Sequence, residues 1–429
     1  MPAPREPSPA MLPATLSLEQ AAATSWQVVI GGAGPAGAAA ALRFARRGLR
    51  VLLVDRGSMP RWKVCGCCLS LTALDELRQL EWVADDGHLL PEHALPLQRV
   101  RLSAAGHTAM IPLPGGAVVS REVLDHTLVS SAVRAGCHWL PDTQIVTADE
   151  DWTEHGAGHA SVTVRHPSGS AGTQATLRAE LVVIASGLGG HVRTTSAMEV
   201  RRSVDRHSRI GVGATLPAGS IDLPPGLLEM TISSDGYCGM IRLEDGRIDL
   251  AAAIDPRSLR GATTPEQATL RLLRTTQSDR AAAIAARLLS SSAEFQATPR
   301  LTHATEVATS PAGRILRAGD AAAYVEPFTG EGIGWALASG RILAETLLPA
   351  LVVPGRSSPA AHAAAAARYR QAHLRHFRPL HGRCRLIALA LRRPALVAAA
   401  IRATRFAPWA AQRLVPRLIG RGRAGVQPA

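Results

Sequence analysis

Three groups of residues in this chain have types and spacings that chemistry can use. Gly32, Gly34 and Gly37 stand in G-x-G-x-x-G register, with Asp55 about twenty residues further on. Cys65, Cys67 and Cys68 crowd into one short loop, with Arg61 and Lys63 just ahead of them. Much later, Gly319-Asp320 is followed by Pro327, Gly330, Gly332 and Gly334. The first set suits a dinucleotide. One glycine allows a sharp turn, the next admits a phosphate without a Cβ in the way, and the third lets helix and sheet pack closely. Asp55 then stands where a carboxylate accepts the hydroxyls of an adenosine ribose.

The elements that must position these residues are legible around them. Val28, Val29 and Ile30 read as a strand buried on both faces, and Val51 to Val54 as a second one ending at Asp55. Between them Pro35 opens a helix whose free N–H groups and dipole favour an anion. A helix over 71–80, capped by Ser70 or Thr72, and an amphipathic helix over 120–136 follow. Residues 161–165 and 175–178 read as a meander, and 181–187 as another buried strand stopping at glycine. From 209 to 254 the texture becomes alternating strands, the last two joined by Glu244-Asp245-Gly246. Helices fill 265–292, a buried strand returns at 314–317, and a long helix runs over 330–348.

With 429 residues the chain has room for two interleaved domains and an ample core. Six cysteines without paired spacing point to a reducing compartment, and C-x-C-C without nearby histidines does not suit a metal site. The formal charge of +13 is uneven. No Asp or Glu follows Glu345, whereas fifteen arginines lie between Arg356 and Arg423. The body is close to neutral, and no basic surface interleaved with aromatics suggests nucleic acid. The first twenty-five residues, rich in Pro and Ala, read as a disordered leader, not a signal peptide. No continuous apolar run reaches membrane-spanning length, so the expectation is a cytoplasmic protein, soluble or peripheral to a membrane.

The segment RILRAGDAAAYVEPFTGEGIGWALASG, residues 314–340, resembles the second flavin signature of the para-hydroxybenzoate hydroxylase-like FAD superfamily. Its GDAA-x4-P-x2-G-x-G-x6-SG spacing is closest to the geranylgeranyl reductase and flavin-dependent halogenase branch. PRWKVCGCCLS, residues 60–70, resembles the P-x-x-K-x-C-G segment of that branch, and residues 236–254 its substrate-sheet hairpin. The resemblance implies a Rossmann-like α/β FAD-binding domain with a parallel sheet, an inserted antiparallel-sheet substrate domain and a C-terminal helical tail. The expected boundaries are 1–25 for the leader; 26–85, 112–200 and 300–350 for FAD binding; 86–111 and 201–299 for substrate; and 351–429 for the basic tail.

FAD is then the implied cofactor, with NAD(P)H as electron donor. The residues expected at FAD are Gly32, Gly34, Ala36, Gly37, Asp55, Arg56, Lys63, Arg121, Asp320, Pro327, Gly330, Gly332 and Ile333. Asp320 suits a ribityl hydroxyl or, more plainly, a helix N-cap. Asp125 either anchors Arg121 or faces solvent. Cys65 belongs near the flavin ring, as a polarizable wall residue or as a redox or proton-donating thiol whose pKa Arg61 and Lys63 depress. Tyr237, Cys238 and Phe328 are expected at the substrate pocket; Trp335 and Tyr324 read as packing.

The departures bear on the reaction. Ser186-Gly187 replaces the Asp-Gly of many relatives. No W-x-W-x-I-P segment of halogenases occurs, and the sole lysine belongs to the cysteine loop. The aromatic-rich W-x-F-P piece of prenyl reductases is absent as well. A monooxygenase acting on an apolar, lipid-like or polyketide-derived molecule leads. A reductase or dehydrogenase of C–C bonds is the alternative, and a non-catalytic flavin-binding protein docking an acyl-carrier protein a further one. The tail, with apolar residues between its arginines, suits an anionic membrane surface, an acidic partner, or a cap over the substrate domain.

Overall fold

The computed structural model describes residues 9–406 apart from 85–86, 154–155, 167–171, 191, 194–201, 261–262, 292, 306, 308–309, 327 and 353–357. The first strand, Ser25–Gly31, lies between Val51–Val54 and Thr173–Ile184, parallel to both. His138–Leu140 extends the sheet on one side, and Ile315–Arg317 joins the inner half of Thr173–Ile184, again in parallel. Val28, Val29 and Ile30 are fully buried because helices cover one face and a second apolar layer the other. The outer half of Thr173–Ile184 pairs antiparallel with Gly156–His166, which turns back on Gln144–Thr153.

Two helices seat directly on this sheet. Pro35–Ala45 is nearly all alanine along its buried face, and Gly332–Val352 packs across it. Close approach is the reason for the small residues: a Cβ at Gly340 would stand 2.1 Å from the Ala36 carbonyl oxygen. Gly332–Val352 is also long and apolar enough to cross a membrane, which reading by continuous apolar runs does not reveal. The apolar window of this helix is 61% buried within the fold, as expected of a core helix.

The second sheet runs in the order Gln296–Arg300, Ile210–Leu216, Ile248–Ile254, Gly236–Arg242, Leu227–Ser233, Arg99–Ala104 and His107–Pro112. Strict alternation sends Cys238, Met240 and Leu250 to one face, where helices Pro265–Thr275 and Asp279–Leu289 cover them. Tyr237 and Ala253 point the other way. Polar clasps hold this sheet to the first domain. Glu244 accepts the Ser120 N–H, Arg247 meets Glu122 at 3.0 Å, and buried Arg209 meets buried Glu326 at 2.6 Å.

Two expectations need correction. The leader is ordered from residue 9: Ser17 caps the helix Leu18–Ala23 in a capping box with Gln20, and Leu18 and Ala21 pack under the sheet. Residues 1–8 lie outside the described residues. In the tail, where the sequence predicts helices over 359–420 broken at Pro379, Pro394 and Pro408, Pro379 lies inside a continuous helix, Pro359–Ala390, and the break falls at Pro394. That helix buries Tyr369, whose hydroxyl donates to the Arg317 carbonyl at 2.8 Å, together with Phe377 and Cys384. Ile387, Leu391, Val397 and Ile401 cover the substrate sheet, whereas Leu386, Leu389 and Leu396 face outward. Pro408 lies beyond the described residues.

Candidate active site

A cavity of about 750 Å³ runs from the dinucleotide glycines to the substrate sheet. At its polar end, Gly32 has φ +111° and a Cβ there would lie 2.3 Å from the Ala185 carbonyl oxygen. A Cβ at Gly37 would meet the Gly32 carbonyl at 1.8 Å, so neither glycine tolerates a side chain. Gly34 caps the helix Pro35–Ala45 and faces Lys63 and Arg121: its Cβ would be 3.4 Å from Lys63 Nζ and 3.9 Å from an Arg121 nitrogen. A bare helix N-terminus under two cations is a phosphate cradle.

Asp55 receives the Ala33 N–H at 2.7 Å and the Gly57 N–H at 3.1 Å, and Arg61 grips both its oxygens at 2.5 Å. Burial opposes its charge, but Arg61 and Lys63 outweigh that and hold the carboxyl below its usual range. Asp125, fully buried, binds Arg121 through two hydrogen bonds of 2.9 and 2.6 Å and Lys63 at 3.3 Å. Of its two expected roles, Asp125 takes the anchor. Ala36, Arg56, Asp320, Gly330, Gly332 and Ile333 also line the cavity, whereas Gly37 lies beneath it as a packing residue. Burial pushes the Asp320 carboxyl up to about 6. Pro327 lies outside the described residues.

Cys65 lines the cavity between its two ends. The Cys67 thiol, hydrogen-bonding to its sulfur, pulls the Cys65 pKa down; burial opposes this, and Arg121 reinforces it. The depressing cation is Arg121, whose guanidinium also hydrogen-bonds the Cys65 sulfur, whereas Arg61 and Lys63 pair with Asp55 and Asp125. Cys67 has left-handed backbone, φ +50°, uncommon for a residue with a side chain and characteristic of constrained sites. The same partnership and burial push its thiol well up.

The far end is apolar, with Leu102, Met230, Tyr237, Ile241, Leu301 and Phe328 on its walls. Tyr237 and Phe328 meet edge to face at 5.1 Å. Cys238 is a correction: strand alternation turns it to the opposite face among the covering helices, away from the cavity. Trp335 packs against His381, outside this cavity. Sequence reasoning missed Asp249, on the strand Ile248–Ile254, which is 1% exposed and lines the cavity. An acid interrupting the apolar run Ile248–Ile254 was its available signal.

The fold and this cavity define an FAD-dependent oxidoreductase. A family model for the FAD binding domain matches residues 25–373, and the chain belongs to that family. It is 29% identical over 338 residues to the menaquinone reductase of Mycolicibacterium smegmatis, covering 76% of each protein. Its fold is similar to that of the flavin-dependent brominase Bmp2, with a TM-score of 0.67 at 17% identity over 92% of this chain and 93% of that one. A geranylgeranyl bacteriochlorophyll reductase-like protein from Thermoplasma acidophilum superposes with a TM-score of 0.64 at 16% identity over 94% of each chain.

Proposed function

We propose that this chain is an FAD-dependent reductase that adds two electrons and two protons' worth of hydrogen across an unsaturated bond of an apolar lipid of the menaquinone class. The observation that carries the reading is Cys65, an ionisable thiol on the wall where the polar and apolar ends of one cavity meet. Reducing a carbon–carbon double bond takes a hydride and a proton, and a thiol at that junction can handle the proton. The likeness to a menaquinone reductase supports the same class of acceptor. Oxygen insertion, the leading expectation from sequence, makes no evident use of that thiol. Lys63 is tied to Asp125 at the polar end of the cavity, where it serves the phosphate cradle.

Gly32, Gly34, Lys63 and Arg121 would hold the pyrophosphate of FAD, Asp55 with Arg61 the ribose end, and Asp320 the ribityl chain. Gly332, opening a 21-residue helix, would aim its dipole at the isoalloxazine. Bound FAD supplies the hydride; the protein binds, orients, excludes water and manages the proton. NAD(P)H is the proposed source of the electrons. The exposed Leu386, Leu389 and Leu396, set among arginines, are proposed to meet an anionic lipid surface beside Ile387 on the cavity wall.

The test is a single turnover that does not depend on the electron donor. FAD-loaded protein, reduced with dithionite, is mixed under argon with detergent-solubilised menaquinone. The reductase reading expects the oxidised flavin spectrum to return and the product to gain hydrogen only. Reoxidation confined to air, with oxygen in the product, would establish the monooxygenase instead.

A further inference from the structure

We propose that Asp249, Cys67 and Cys65 form a proton relay along the cavity wall, Asp249 storing the proton and Cys65 delivering it. The clearest sign is a buried acid that no short hydrogen bond satisfies. Asp249 is 1% exposed, and among the described residues neither carboxyl oxygen closes a full hydrogen bond, although the Trp62 indole and the Cys67 thiol approach it. A buried carboxylate left bare is far too costly to persist, so such a group stays neutral. It faces Trp62, whose indole N–H is itself unpartnered, and the Cys67 thiol, with Cys65, Arg121 and Glu122 behind them. Thr215, opposite Asp249 in register on the neighbouring strand, also has an unpartnered hydroxyl.

The loop carrying the thiols is seated on the sheet by design. A Cβ at Gly213 would lie 2.9 Å from Val64, so only glycine lets the loop lie flat there. The left-handed backbone at Cys67 then turns its thiol between Cys65 and Asp249. Burial, with the Cys65 charge added, pushes the Asp249 carboxyl well up, while the Cys65 thiol is pulled down. Three acidic groups thus share one negative charge, settled on the sulfur nearest Arg121.

The relay rests on the reductase reading, which supplies its destination. One substrate carbon takes hydride from reduced FAD, recharged by a nicotinamide. The Cys65 thiolate first takes the Cys67 S–H proton while the Asp249 O–H proton passes to Cys67; the Cys65 thiol so formed then gives its proton to the other carbon and returns to the thiolate. Asp249 is a carboxylate only in passing, steadied by the Trp62 N–H and the Cys67 S–H, and recovers a proton from solvent as product leaves.

Asp249→Asn tests this, because it removes the ionisable proton yet keeps an oxygen that can still accept from the Trp62 indole and the Cys67 thiol. Its melting temperature and FAD content should match or exceed those of the parent. The infrared difference between parent and variant at neutral pH should show one protonated-carboxyl stretch present in the parent alone. In Cys65→Ser that band should disappear at lower pH, since the charge that helps hold the proton is gone. Single-turnover reduction of menaquinone by Asp249→Asn should slow by about a hundredfold. Absence of the band, or turnover equal to the parent's, would overturn the relay. A parent that shows the band but fails to reduce menaquinone refutes the reductase reading while supporting the stored proton.

Discussion

Glu326→Ala should lower the stability of the protein by about 3–5 kcal/mol, the usual cost of leaving one partner of a buried ion pair alone. Arg209 and Glu326 are 1% and 2% exposed, and Arg209 Nη1 donates to Glu326 Oε1 at 2.6 Å. Among the described residues Arg209 Nε has no hydrogen-bond partner, and the guanidinium lies 5.3 Å from the centre of the Tyr237 ring. Removing the carboxylate therefore strands a cation in a dry interface between the substrate sheet and the segment leading to the long flavin helix. Urea unfolding of Glu326→Ala measures the loss. The double variant Arg209→Met with Glu326→Leu should recover most of it, because apolar groups of similar size need no counter-charge. A single variant losing less than about 1 kcal/mol would place that interface in water.

Gly340→Ala carries the second large effect, and its sign is the informative part. In an exposed helix interior the change stabilises by about 1 kcal/mol. Here the new Cβ would stand 2.1 Å from the Ala36 carbonyl oxygen and 3.1 Å from the Ala39 Cβ. The two helices must separate, at a cost of about 3 kcal/mol. Because Pro35–Ala45 and Gly332–Val352 both open on the cavity, FAD should be lost along with stability. Thermal melting and the flavin absorbance surviving gel filtration report both. A variant as stable and as yellow as the parent would show that the helices do not set the site.

These two residues also mark what is legible in the chain and what is not. The glycine register at 32–37, the strand ending at Asp55 and the segment 314–340 announce their purpose because backbone geometry restricts them to few residues. The strands between 209 and 254 are equally plain, since period-two alternation survives in the sequence. Side-chain partnerships are not. Nothing local says that Arg61 holds Asp55, that Arg121 and not Lys63 faces Cys65, or that Arg209 meets Glu326, which lies 117 positions away. Cys238 shows the cost of naming adjacent residues as a pair in a strand, where neighbours face opposite sides. The helix Leu18–Ala23 was hidden by a Pro- and Ala-rich composition, although Ser17 and Gln20 carried its capping signal.

On the proposed function, FAD and an apolar acceptor share one cavity, FAD at the glycine end and the acceptor against the substrate sheet. Ala251 lines that second end, and Ala251→Trp fills it without touching the first. Assayed under argon with menaquinone, the variant should bind FAD as the parent does, yet its reduced flavin should no longer be reoxidised. Reoxidation at the parent's rate would contradict the shared cavity.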